Sequence, residues 1–154
     1  MKKLATILVV VLLCCAVLAL GACGDKKLKD GQVRITVGGE SFIAELTDVQ
    51  AAKQFKAALP MTLEMNTLNA GNTLYADLGS KSFAEQPDSS EPLNKGDIIL
   101  RGNNRLELCC GFGQPESVTR IGRVREQDLD AFIAAMQNAV QAANGGKVTV
   151  TFSK

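Results

Sequence analysis

Apolar and polar side chains alternate along residues 33–37, with Val33, Ile35 and Val37 set against Arg34 and Thr36. That period of two marks a strand with one buried face. Gly38-Gly39 predicts a two-residue hairpin turn, and the chain returns over 40–46 with Phe42, Ala44 and Leu46 on the core side. The period then changes. Val49, Ala52, Phe55 and Leu59 recur at helical spacing, Thr47 and Gln50 have the spacing of a capping box, and Pro60 ends the helix. Alternation resumes over 61–65, where Met61 and Met65 read as core rather than as a metal-binding pair. Turn chemistry at Asn69-Ala70-Gly71-Asn72 leads into a strand over 73–78. A long polar connection over 79–95 reads as either a mobile excursion or a wall of a binding cleft.

The second half carries signals of the same kinds, without an internal repeat of sequence. Residues 96–100 and 105–110 form a hairpin about Gly102-Asn103-Asn104, residues 111–115 break it, and 119–124 is a further strand. A second helix is predicted from about 127 to 143 on the spacing of Leu129, Phe132, Ile133, Met136 and Val140, with Asn144-Gly145-Gly146 as its stop. Val148, Val150 and Phe152 share one face of a last strand. Seven or eight short strands with two helices exclude a parallel doubly wound sheet, which needs a helix at each crossover. The expected fold class is mainly β, a closed or nearly closed antiparallel barrel of about eight strands whose two helices cover its open ends. Closure removes the exposed strand edges, so the first and last strands are expected to pair.

The start of the chain follows a different pattern. Lys2 and Lys3 precede an apolar run over 4–20, which ends in Leu20-Gly21-Ala22-Cys23 and polar sequence. The four residues resemble a bacterial lipobox, with Cys23 as the lipidated mature N-terminus. Residues 1–22 are then a signal peptide, 23–31 a hydrophilic tether and 32–154 one barrel domain. Two alternatives stay open: cleavage by the general signal peptidase after Gly21, with Ala19 at minus three, and an uncleaved membrane anchor. The expected setting is extracytoplasmic, with the membrane as partner through an N-terminal lipid. Stable anchoring takes more than one acyl chain.

Charge and chemistry narrow the function. Seventeen basic and 16 acidic residues give a net charge of +1, with no basic patch, so nucleic acid is not an expected partner. The chain has no histidine, which excludes histidine-ligated metals and imidazole triads. No cofactor and no metal are called for. After Cys23 only Cys109 and Cys110 remain, too few for a disulfide framework. Adjacent Cα atoms lie about 3.8 Å apart, shorter than the about 4.4–6.8 Å of ordinary disulfides, and in a strand the two side chains point to opposite faces. One core thiol and one outward thiol, both reduced, is the first reading. A strained redox bridge permitted by Gly111 and Gly113 is the second. Arg105 and Glu107 share the outward face with Cys109 and are expected to form a modest exposed pair. Tyr75, Arg101 and Arg120 are the candidates for lining a cleft that takes an anionic or peptide ligand.

The order of short motifs resembles the bacterial cyclophilin-like domains: Leu59-Pro60-Met61-Thr62-Leu63, then Gly96-Asp97-Ile98, then Ile121-Gly122 in a late strand. The resemblance covers about 33–152 and implies an eight-stranded, two-helix barrel related to the prolyl isomerases. Those enzymes lower a barrier of about 18–20 kcal/mol with a Phe-His-Arg motif followed, five residues after the arginine, by phenylalanine. Here Arg101 is followed at that spacing by Leu106, Arg105 by Cys110 and Arg120 by Arg125, so no catalytic residue carries over. The leading expectation is a non-enzymatic module holding a small molecule, peptide or protein. The alternative is an exported prolyl isomerase or folding assistant with a divergent site.

Overall fold

The computed structural model describes residues 27–154. The expected signal peptide, the lipobox-like stretch with Cys23 and the first part of the expected tether lie outside the described residues. The elements run β1 (Gln32–Val37), β2 (Glu40–Leu46), α1 (Gln50–Ala57), β3 (Met61–Leu68), β4 (Thr73–Asp77), β5 (Asp97–Arg101), β6 (Arg105–Cys109), β7 (Thr119–Val124), α2 (Glu126–Ala143) and β8 (Val148–Ser153). All eight strands join one closed antiparallel barrel in the order β1-β2-β7-β5-β6-β4-β3-β8.

The β1–β2 hairpin forms where Gly38 and Gly39 both take positive φ, +59° and +83°, the conformation that matches a tight turn to the strand twist. Closure comes from β8, which pairs with β1 on one side (Ile35 opposite Phe152) and with β3 on the other (Met61 opposite Phe152). Val33, Ile35, Met65, Leu74, Ile98, Leu100, Leu106, Leu108, Val150 and Phe152 fill the interior and are fully buried. Both helices bury into this same core. Phe55 of α1 meets Phe152 edge-on at 5.3 Å, and Phe132 of α2 meets Phe42 at 5.5 Å.

The helix ends show where tertiary contacts replace local ones. Thr47 does not cap α1, which starts after Val49 without a side-chain cap from its own segment. The Thr47 hydroxyl instead donates to the Arg120 carbonyl at 2.8 Å. The free Gln50 N–H at the helix start donates to Gln86 Oε1 at 2.8 Å, so the long connection supplies the cap. In α2, Glu126 and Asp128 occupy the first turn, where the helix dipole favours anions, and Asn144 ends the helix in the left-handed conformation.

The glycines of the Gly96-Asp97-Ile98 and Ile121-Gly122 motifs have a packing reason. Gly96 has φ +82°, and a Cβ there would sit 2.7 Å from Leu129 Cδ1 and 3.3 Å from Val124 Cβ. A Cβ on Gly122 would sit 2.7 Å from the Glu45 carbonyl oxygen, because β7 and β2 cross closely at that point. Backbone cannot step aside as a flexible side chain does. Gly122→Ala is therefore expected to destabilise the fold by about 1–3 kcal/mol, read as a lower urea midpoint; an unchanged midpoint would mean that β2 yields freely.

Candidate functional site

Most strands of a small barrel expose their outer face, but β5 and β6 do not. Ile98, Leu100, Leu106 and Leu108 point into the interior, whereas Ile99 and Cys109 join Leu93 and Val118 in a second buried cluster on the outer wall. That wall is covered by two connections. The first, over 79–95, is pinned along its length: Phe83 N–H donates to Asn103 O at 2.7 Å, Ala84 N–H to Gln54 Oε1 at 2.7 Å, Gln86 N–H to Thr119 Oγ1 at 2.8 Å and Asp88 N–H to Val118 O at 2.9 Å. These bonds hold the stretch against the barrel, and Leu93 is its contribution to the neighbouring cleft. The second, over 110–118, is tied to it by Gly113 N–H donating to Leu93 O at 3.0 Å and to the β3–β4 turn by Cys110 N–H donating to Asn72 O at 2.7 Å.

Between the two connections and the β3–β4 turn lies a cleft of about 250 Å³. Leu68, Leu93 and Phe112 give it apolar walls, Asn69, Asn72 and Thr73 line it from the turn, and Arg101, Glu107, Cys109 and Glu116 contribute the rest with Gly111 and Gly113. Phe112 is 77% exposed and Leu68 38%, the two large apolar side chains that the described residues leave to solvent. Asn69 and Ala70 both have positive φ, 52° and 55°, a strained turn of the kind that collects at binding sites.

Charge is concentrated at the floor. Arg101 and Arg105 face each other across β5–β6, an unfavourable cross-strand pair by itself. Glu107, one hundredth exposed, sits between them. It accepts from Arg101 Nε at 2.9 Å and Nη2 at 3.2 Å, and lies 3.1 Å from Arg105 Nε at an angle too poor for a hydrogen bond. A buried carboxylate persists only when paired in this way, so Arg105 and Glu107 are not the exposed pair expected from the sequence. Arg101 reaches Glu116 Oε2 with Nη1 at 2.7 Å. The hydrogen bond to Glu107 raises the pKa of Arg101 further above its ordinary value.

Of the sequence candidates, Arg101 and Cys109 line the cleft. Tyr75 stands beside it, opposite Glu107 in the β4–β6 register, with the Arg105 guanidinium stacked 3.9 Å from its ring centre. Arg120 belongs to a separate structural cluster. Its Nη2 donates to Pro92 O at 3.0 Å and its Nε lies 3.7 Å from buried Asp97, which also accepts from Arg123 and from Asn94 N–H. Arg120 thus holds the long connection down and does not reach the ligand space with Arg101. Glu116 and Phe112 are cleft residues that the sequence pattern does not single out, and Glu107 is one that it places in an exposed pair. The uninterrupted apolar run Ile98-Ile99-Leu100 was the available signal, since a strand apolar on both faces must be covered on both.

Cys109 and Cys110 are free and buried. Cys109 is at the cleft floor and Cys110 is in the interior core, on opposite faces of the wall. Burial pushes both thiols up to about 12, aided at Cys109 by the negative charge of Asp97 and Glu107. Redox chemistry draws on an accessible thiolate, and burial disfavours that form at both positions.

The class defined by these features is a closed eight-stranded barrel with two packed helices and a small cleft on its outer wall. A family profile described as the cyclophilin-like family matches residues 35–153, and the chain belongs to that family. Comparison with curated proteins finds no match. Among solved structures, McbB in complex with tryptophan is similar in fold, with a TM-score of 0.59 and 20% sequence identity over 80% of this chain and 44% of McbB. The chain thus spans less than half the length of that protein.

The thiols carry a pH signature. Unfolded thiols ionise from about 8.5 while the folded ones stay protonated to about 12, so the unfolded state binds fewer protons between those values. Their contribution to stability is complete below about 8.5 and is lost as pH rises through that window. Wild type is expected to lose stability more steeply there than Cys109→Ala, and iodoacetamide at pH 8 should leave residues 109 and 110 unmodified in the folded chain when mapped by mass spectrometry. Equal slopes, or rapid labelling of Cys109, would contradict the burial argument.

Proposed function

We propose that this chain is a lipid-anchored, extracytoplasmic binding module of the cyclophilin-like family, and that a small molecule or peptide is held in the cleft under Phe112. The observation that carries the binding role is the cleft itself: about 250 Å³, with apolar walls, side-chain amides and a guanidinium at its floor. Binding sites of this kind combine apolar lining with a few fixed polar groups. Shared fold does not by itself assign a ligand. Tryptophan, which the structural neighbour holds, is a first compound to test. No arginine stands in the spacing that the isomerase motif requires, which favours binding over catalysis.

The anchoring part rests on Leu20-Gly21-Ala22-Cys23 at the end of an apolar run, followed by a short polar stretch before β1 begins at Gln32. Metabolic labelling with palmitate should mark the wild-type chain and not Cys23→Ser, which should leave the membrane fraction; a Cys23→Ser chain that stays processed and membrane-bound would overturn the anchor. For the cleft, a fragment screen by nuclear magnetic resonance on the full chain in detergent is expected to move signals of residues 68–73, 93, 101 and 107–116. Hits clustered on any other surface, or measurable acceleration of proline isomerisation in a short peptide, would overturn the binding reading.

A further inference from the structure

The guanidinium of Arg101 at the cleft floor is shared between a carboxylate of the sheet and one from outside it. Arg101 and Arg105 stand opposite one another, and buried Glu107 serves both. Asp77 stands opposite Arg105 in the β4–β6 register, and Glu116 meets Arg101 from outside the sheet, 2.7 Å from Nη1. The two carboxylates on Arg101 differ in kind. Glu107 is part of β6, and its side chain is 2% exposed. Glu116 lies in the connection between β6 and β7, and its side chain is 42% exposed.

An ion pair half open to water contributes little to stability, so Glu116 can leave Arg101 without dismantling the barrel. Arg101 commits Nε and Nη2 to Glu107 and keeps Nη1 for a second carboxylate. A planar guanidinium suits that double role better than an ammonium. Leu93 and Phe112 line the same cleft, so an apolar group entering beside Arg101 finds apolar walls.

We propose that Glu116 is an internal stand-in for a ligand carboxylate: an acid carrying an apolar group enters the cleft, takes the place of Glu116 at Arg101, and packs against Phe112 and Leu93. The inference rests on the binding-module reading and names its ligand class. Entry of the carboxylate restores the charge balance that departure of Glu116 removes. A neutral ligand of the same shape offers Arg101 no such exchange.

The test uses the absence of tryptophan from the chain, which makes indole emission report the probe alone. The full chain in detergent is titrated with N-acetyl-tryptophan and with N-acetyl-tryptophanamide, and fluorescence polarisation is followed. The acid is expected to bind at least tenfold more tightly than the amide. Glu116→Gln, which removes the competitor, should tighten acid binding severalfold and leave amide binding unchanged. Arg101→Gln combined with Glu107→Gln, a charge-conserving pair, should erase the preference for the acid. An acetylated tripeptide ending in tryptophan assigns the carboxylate to a peptide terminus if it binds more tightly than the single residue, and to a small molecule if it binds more weakly. Equal binding of acid and amide, or weaker acid binding by Glu116→Gln with the amide unaffected, overturns the carboxylate inference and leaves the cleft reading intact. Failure of both probes to bind overturns both.

Discussion

The barrel exists because β8 is shared. Its Phe152 lies opposite Ile35 of β1 and Met61 of β3, and its ring meets Phe55 of α1. Those contacts join the two ends of the chain's described domain and one helix at a single point of the core. Without that strand, β1 and β3 would both be open edges with unpaired backbone groups. Closure is therefore the constraint under which the other strands find their order, including the non-sequential neighbours β2–β7 and β4–β6. The tight approach at Gly122 and the positive φ of Gly96 are local accommodations to it.

Closure explains the inside of the barrel; the cleft is a product of its outside. Two connections fold back over β5 and β6, and their Leu93 and Val118 bury Ile99 and Cys109 on the outer face. Polar side chains on that face then lose water. Glu107 and Asp97 are both nearly inaccessible, and each is met by arginines from the same or a neighbouring strand. The two ion clusters have different consequences. Around Asp97 the arginines tie the long connection to the wall, because Arg120 also holds the Pro92 carbonyl. Around Glu107 one arginine remains half exposed at the floor of a cavity, and that is where chemistry with a ligand becomes available.

The vicinal cysteines show how the same wall separates neighbours. One residue apart in sequence, they fall in different hydrophobic clusters, and each is a small buried apolar group with a raised pKa. Cys109 contributes to the shape of the cleft floor.

Much of this was legible in the residues alone. Alternation with period two located the strands, helical spacing located both helices, and the clean alternation of the terminal strands implied the closure that β8 makes. These features are local: each depends on which side chains share a face, and a one-dimensional pattern records that. Cap partners, buried charges and the cleft are not local. Thr47 and Gln50 have the spacing of a capping box, yet Arg120 and Gln86 are their partners from far along the chain. Glu107 looks like an exposed strand residue until the connection above it removes its water. Tyr75, Arg101 and Arg120 are alike as candidates in the sequence, and only the tertiary structure sends Arg101 to the cleft, Tyr75 to Arg105 and Arg120 to the loop clamp. The sequence determined which faces are apolar; the fold alone decided which polar groups meet, because burial and charge pairing depend on distances that the order of residues does not encode.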